Sequence, residues 1–270
     1  MSKKNIAIIG CGAMGSALAE YVDKELTDRI SKIVLFDIDD VKVDELSRKL
    51  TNCMTAYSVN EAVENSDLVV EVSNAAAVSD ILGRCIDKNR DIVIMSIGGI
   101  LSDESLLDKA RDKNVRVILP SGAIAGIDAV KSAKLSGIET VTLTTRKSPK
   151  SLQGAPYLEA NDIDLDMLSG ENIIFEGTAR EAIEGFPKNV NVSSLLSLAG
   201  IGADKTMVRI VVSPEYKKNI HEIEVVSNSG KLIMRTENVP SPTNPKTSYL
   251  AILAAEEAVK EYFDSVRFGT

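Results

Sequence analysis

Residues 5–15 read Asn5-Ile6-Ala7-Ile8-Ile9-Gly10-Cys11-Gly12-Ala13-Met14-Gly15. The apolar run predicts a buried strand, and the Gly-x-Gly-x-x-Gly spacing predicts a tight turn that feeds it into a helix. Each glycine has a separate job. Gly10 permits the turn, Gly12 lets a pyrophosphate approach the backbone, and Gly15 lets the helix pack close to the strand. A helix start carries about half a positive charge and unpaired N–H groups, which suit a diphosphate. A second apolar run, 32–36, ends at Asp37. That acid lies at the distance expected for hydrogen bonding the adenosine ribose. The candidate cofactor-binding set is therefore Gly10, Cys11, Gly12, Ala13, Met14, Gly15 and Asp37. Asp37, Asp39 and Asp40 should repel a 2′-phosphate, which favours NAD over NADP, although Lys42 nearby weakens that preference. A helix N-terminus can lower a thiol pKa, but for Cys11 a small residue that fits the turn is the simpler reading.

The same rhythm continues outward. Further short apolar runs at 68–72, 91–95 and 115–119, and a weaker one at 52–56, alternate with helical spacing at 15–26, 41–50, 75–87 and 103–112. Near-continuously apolar strands alternating with helices predict a doubly wound parallel sheet of the Rossmann type, in the order 3-2-1-4-5-6. After Pro120 the pattern changes. Strands are expected at 139–146, 172–176, 207–213, 221–227 and 231–236, with helices at 179–185 and 191–198. Asn228-Ser229-Gly230 marks an antiparallel hairpin. A proline-rich crossing, 239–245, precedes a strong helix over 246–263, with Asn244 and Pro245 as its expected start. The fold class is thus α/β with a second, smaller α+β domain. The expected domains are 1–119 plus 246–270, with the last helix returning to the first domain, and 120–245 for substrate, catalysis and dimerisation.

Composition narrows the functions. The chain has 270 residues, a net charge of −8 and a single histidine. Its acidity argues against nucleic acid as a partner, because phosphate binding needs a concentrated basic surface. One histidine and three scattered cysteines, Cys11, Cys53 and Cys85, leave no polyhistidine or zinc-finger site, so no metal is expected. The uncharged stretch 5–19 imitates a signal peptide, but cleavage there would remove the glycine motif. It is also shorter than the ~20 apolar residues of a membrane span. A cytoplasmic protein with no membrane partner is expected.

The second half carries more specific segments: Pro120-Ser121-Gly122-Ala123-Ile124-Ala125-Gly126, Thr145-Arg146-Lys147, Phe186-Pro187-Lys188-Asn189-Val190-Asn191, Asn219-Ile220-His221-Glu222-Ile223, and 241–248, Ser-Pro-Thr-Asn-Pro-Lys-Thr-Ser. Together with the glycine motif they resemble the L-aspartate dehydrogenase family over almost the whole chain. The resemblance implies oxidation of L-aspartate with NAD or NADP, through iminoaspartate, to oxaloacetate and ammonia, or supply of iminoaspartate for quinolinate and NAD biosynthesis. It implies cofactor contacts at Ala123 and Asn189 and a catalytic role for His221. The segment Glu71-Val72-Ser73-Asn74 is less typical of the family.

The residues support that chemistry independently. Imidazole titrates near neutrality and suits proton transfer from an ammonium or to a water. A dicarboxylate substrate needs cations or N–H donors, for which Arg146, Lys147, Lys188, Lys246, Thr247 and Ser248 are the candidates. The bland alternatives are a hydrogen-bonded sheet histidine, a solvated strand end at Arg146 and Lys147, and simple helix capping at 246–248. Among rivals, dihydrodipicolinate reductases use a paired-histidine motif that one histidine cannot supply. A homoserine-dehydrogenase-like enzyme shares the layout without these segments. A non-catalytic NAD-binding regulator would need a partner-binding element that the sequence does not display. A homodimer is expected, paired through the exposed edge of the second sheet.

Overall fold

In a computed structural model of the chain, which describes residues 3–187, 190–242 and 247–269, the run before the glycines is strand β1 (Lys4–Ile9). It lies inside a six-stranded sheet with β2 (Ile30–Phe36), β3 (Cys53–Thr55), β4 (Leu68–Glu71), β5 (Asp91–Ile94) and β6 (Val117–Ile118). The order is β3-β2-β1-β4-β5-β6, and every pairing is parallel. Helices α1 (Ala13–Glu25), α2 (Asp40–Ser47), α3 (Val59–Glu64), α4 (Val78–Asp87) and α5 (Ser105–Asp112) connect the strands. Ile6, Ala7, Ile8 and Ile9 are all buried, which is why β1 reads as a continuous apolar run rather than an alternating one. The strand order reverses between β1 and β4, the place where this architecture binds ligands beyond the strands' carboxyl ends.

Leu18 and Val22 stand four residues apart on one face of α1 and pack with Ile6, Ile8, Ile33 and Leu35. Each such side chain contributes about 1.5–3 kcal/mol when fully buried. The same burial therefore holds the start of α1, and the glycine loop before it, against the sheet. The last helix joins this core through Val259, Ala258, Tyr262 and Phe263.

The chain divides into two compact units, Met1–Pro120 with Ile252–Phe268, and Ser121–Ala251 with Gly269–Thr270. The second unit holds α6 (Ile127–Ser136), β7 (Ile138–Lys147), α7 (Pro156–Ala160), β8 (Asn172–Thr178), α8 (Ala179–Gly185), α9 (Asn191–Ala199), β9 (Thr206–Val212), β10 (Asn219–Ser227) and β11 (Gly230–Asn238), and α10 (Tyr249–Phe263) follows them. Its five-stranded sheet has the order β11-β10-β7-β9-β8. β10 pairs antiparallel with both β11 and β7, and β8 with β9. β7 and β9 run parallel. The β10–β11 hairpin turns at Asn228 and Ser229, before Gly230 at φ +124°. A capping box at Thr178 and Glu181 starts α8.

Three helices, α3, α6 and α7, arise where the sequence pattern predicts none. The last helix is described from Tyr249. Its expected start at Asn244, Pro245 and Lys246 lies outside the described residues. No helix among the described residues is long and apolar enough to cross a membrane.

Candidate functional site

In the first unit, the glycines differ in what demands them. A Cβ at Gly10, where φ is +108°, would meet the Val72 carbonyl oxygen at 2.7 Å, and one at Gly15 would meet the Gly10 carbonyl oxygen at 1.9 Å. The chain's own packing requires both. Gly12 is different, because a Cβ there would meet nothing within 4 Å. It caps α1 with no side-chain hydrogen bond, and the first turn contains no acid. An open approach to unpaired N–H groups is what a diphosphate needs. Ala13 and Met14 are the first two residues of that helix.

Asp37 follows β2 directly. Its Oδ2 accepts from the Cys11 N–H at 2.7 Å and its Oδ1 from the Asp39 N–H at 3.0 Å. A carboxylate has about four acceptor positions, so Asp37 can fix the loop and still accept from ribose hydroxyls. Lys42 is 3.2 Å from Asp39, and that hydrogen bond holds the Asp39 carboxyl below its usual range. Cys11 is buried, and burial, reinforced by the Asp37 charge, pushes its thiol up to about 12. It is therefore a small turn residue and not a thiolate.

Glu71 ends β4, next to the glycine loop, and is fully buried. Its Oε1 accepts from the Ser73 N–H at 2.7 Å and hydroxyl at 2.8 Å, and its Oε2 from the Ser96 N–H at 3.0 Å. Burial raises its pKa while the serine hydrogen bonds oppose the shift. This carboxyl ties together the loops that leave β4 and β5. The apolar run before it carries the only sequence signal for such a buried acid.

In the second unit, His221 lies in β10 opposite Thr145 of β7 and Thr236 of β11. It is 5% exposed, and Thr145 Oγ1 is 3.0 Å from its Nδ1. Burial first, and the Lys147 charge second, push its pKa from 6.5 to about 3. Thr236 Oγ1 and Asn238 Nδ2 donate to the Ala123 carbonyl at 3.0 and 2.9 Å. Ala123 is thereby fastened to the strand beside His221. The end of β7, the start of β10 and the end of β11 thus gather His221, Thr145, Lys147, Thr236, Asn238 and Ala123 at one end of the sheet.

The proposed substrate residues are placed unequally. Arg146 alternates to the opposite face from His221, where its Nη1 lies 3.7 Å from Glu222, and Glu222 also meets Arg235. Lys147, a candidate cation whose bland alternative in the sequence is a solvated strand end, is the cation on the histidine's face. It is 8% exposed, and burial pushes its pKa down to about 8. The alternation of Val141, Leu143, Thr145 and Lys147 was the available signal. Thr247 and Ser248 precede α10 instead of lying in its first turn. The Thr247 carbonyl accepts from the Ser241 N–H at 2.8 Å, and Ser248 bridges to Pro240. The buried Ser248 Oγ has no hydrogen-bond partner among the described residues. Lys188, Asn189 and Lys246 lie outside the described residues. Among the described residues, no group of three metal-binding side chains occurs.

Comparisons with known proteins match both units. Residues 128–262 match the family model described as aspartate dehydrogenase, C-terminal. Residues 10–120 match the one described as homoserine dehydrogenase, NAD binding domain. The L-aspartate dehydrogenase of Methanosarcina mazei is 42% identical over 269 residues, covering 98% of this chain and 99% of that protein. That of Nitrosopumilus maritimus is 42% identical over 280 residues, covering 99% of this chain and all of the relative. The crystal structure of aspartate dehydrogenase from Thermotoga maritima aligns over 99% of this chain and 100% of its own, with a TM-score of 0.77 at 25% identity. A homoserine dehydrogenase from Thiobacillus denitrificans shares the fold alone, at 11% identity and a TM-score of 0.59, over 99% of this chain and 76% of its own. The chain belongs to the aspartate dehydrogenase family.

Proposed function

We propose that the protein is an NAD(P)-dependent L-aspartate dehydrogenase in which His221 is the proton-transfer residue. NAD, held at the Gly10–Gly15 loop and Asp37, supplies the hydride acceptor for the substrate's Cα. The chain's own task is to manage protons and carboxylates. The tautomer that donates Nδ1–H to Thr145 puts the lone pair of His221 on Nε2. That atom has no other partner among the described residues, so it can take a proton from the substrate ammonium and, once that proton has passed to solvent, draw one from the water that attacks the imine and return it to the departing amine. The products are oxaloacetate and ammonia, or the imine itself where quinolinate synthesis consumes it.

One observation carries the role of His221. The chain's single histidine is buried at the end of the sheet with one ring nitrogen already engaged. A base that titrates near 3 is weak at neutral pH. An arriving dicarboxylate raises it, because a nearby negative charge favours the imidazolium. Of the described substrate candidates, Ser248 Oγ and Arg146 Nη1 are buried without a hydrogen-bond partner among the described residues, so each has a donor to offer. The three cysteines are free, which fits a reducing cytoplasm. A homodimer is expected, to be read by sedimentation.

The test is a steady-state panel of amino acids with NAD and NADP. L-aspartate with NAD should give the highest kcat/KM. The Asp39–Lys42 pair leaves Asp37 to repel a 2′-phosphate, so NADP should serve less well. NADH formation from L-homoserine but not L-aspartate would refute the assignment, and tight NAD binding without any turnover would favour a regulator.

A further inference from the structure

Lys147 stands beside the histidine, and the chemistry above does not use it. It is the last residue of β7. Val141, Leu143, Thr145 and Lys147 alternate onto one face of the sheet, and Thr145 is the residue that holds His221. Lys147 is therefore one pleat along from the histidine's hydrogen-bond partner. Ala182 of α8, Phe186, and Val190 and Ser193 at α9 close over this face, around a cavity of about 10 Å³ that Thr145 and Lys147 also line. Taking an ammonium out of water costs several kcal/mol before compensation. The neighbouring Arg146 shows that a cation at this strand end can point the other way.

We propose that Lys147 is a positioning residue that works through His221: its ammonium, on the same buried face, adds to burial in keeping the imidazole unprotonated until an anionic substrate is seated beside the pair. This inference rests on the reading of His221 as the proton-transfer residue. With its pKa near 8, Lys147 is charged at neutral pH, and its charge lowers that of His221. No other charge among the described residues shares the position. Glu222 and Glu224 of β10 alternate to the far face, where they meet Arg146, Arg235 and Lys231. On β9, Arg209 pairs with Glu176 of β8. Thr236 is the β11 residue opposite His221. Asp128, Lys131 and Lys134 of α6, and Arg180, Glu181 and Glu184 of α8, are exposed. Helix α9 carries no charged residue.

The single histidine makes a direct test possible, because histidine labelled with 13C at Cε1 gives one imidazole signal, which needs no assignment. The full chain is titrated by NMR as wild type, K147M and K147R. In K147M the imidazole midpoint should rise by about one pH unit, and the acid limb of the kcat–pH profile should move the same way. K147R should titrate like wild type. Equal midpoints in K147M and wild type, or equal shifts in K147M and K147R, would overturn the proposal. The wild-type protein offers a second reading that needs no variant. Its imidazole signal should shift again as Lys147 loses its proton, below the usual lysine range, and a signal that stays flat through the whole alkaline titration also overturns the proposal. Failure of the underlying reading looks different: H221N would then oxidise aspartate at the wild-type rate, whatever the titrations show.

Discussion

His221 is neutral because of where it sits. Burial removes the water that would stabilise an imidazolium, and Lys147 adds repulsion. That depression has a consequence for stability. Between pH 6.5 and about 3 the unfolded chain takes up a proton at this residue while the folded chain does not. Its contribution is thus present above pH 6.5 and is lost as the pH falls towards 3. Each pH unit in that window costs about 1.4 kcal/mol. H221N removes this linkage. Urea unfolding at pH 6.5 and at pH 4.5 should show the wild type losing more stability than H221N, by on the order of 2–3 kcal/mol. Equal losses would mean that the folded protein protonates His221 as readily as the unfolded chain does.

At the scale of elements, the strand–loop–helix around residues 10–15 separates glycines required by folding from one kept open. Gly15→Ala drives a methyl into the Gly10 carbonyl, so its melting temperature should fall by many degrees. Gly12 has φ −71° and open space in front of it, so Gly12→Val should keep its melting temperature within a few degrees and weaken NAD binding at least tenfold. Calorimetry with and without NAD reads both effects, and a G12V protein that binds NAD like wild type would remove Gly12 from the cofactor site. The parallel strands were legible because strands buried on both faces are β-branched runs. The loop was legible because positive φ and close approach demand glycine. Helix α3 was not, because six residues are too few for helical spacing to emerge. Helix α6 buries only Val130 and Ala133, a stripe too narrow to stand out between Gly126 and Gly137. The burial of Lys147 depends on helices that follow it by more than thirty residues. Only the alternation along β7 hinted that Lys147, and not Arg146, shares the face of His221.

For the whole molecule, each unit presents its own candidate site. One presents a glycine-lined helix start with Asp37 beside it, and the other a sheet end at which His221, Thr145, Lys147 and Ala123 gather. Identity of 42% over nearly the full length of an L-aspartate dehydrogenase spans both, so a shared Rossmann sheet alone does not account for the likeness. The most direct measurement is NADH formation from L-aspartate and NAD by wild type and H221N, paired with NAD affinity by titration calorimetry. The wild type should turn over. H221N should lose about 10²–10⁴-fold in kcat while NAD affinity stays unchanged. An H221N enzyme as fast as wild type, or a wild type that binds NAD and leaves aspartate untouched, would contradict the account.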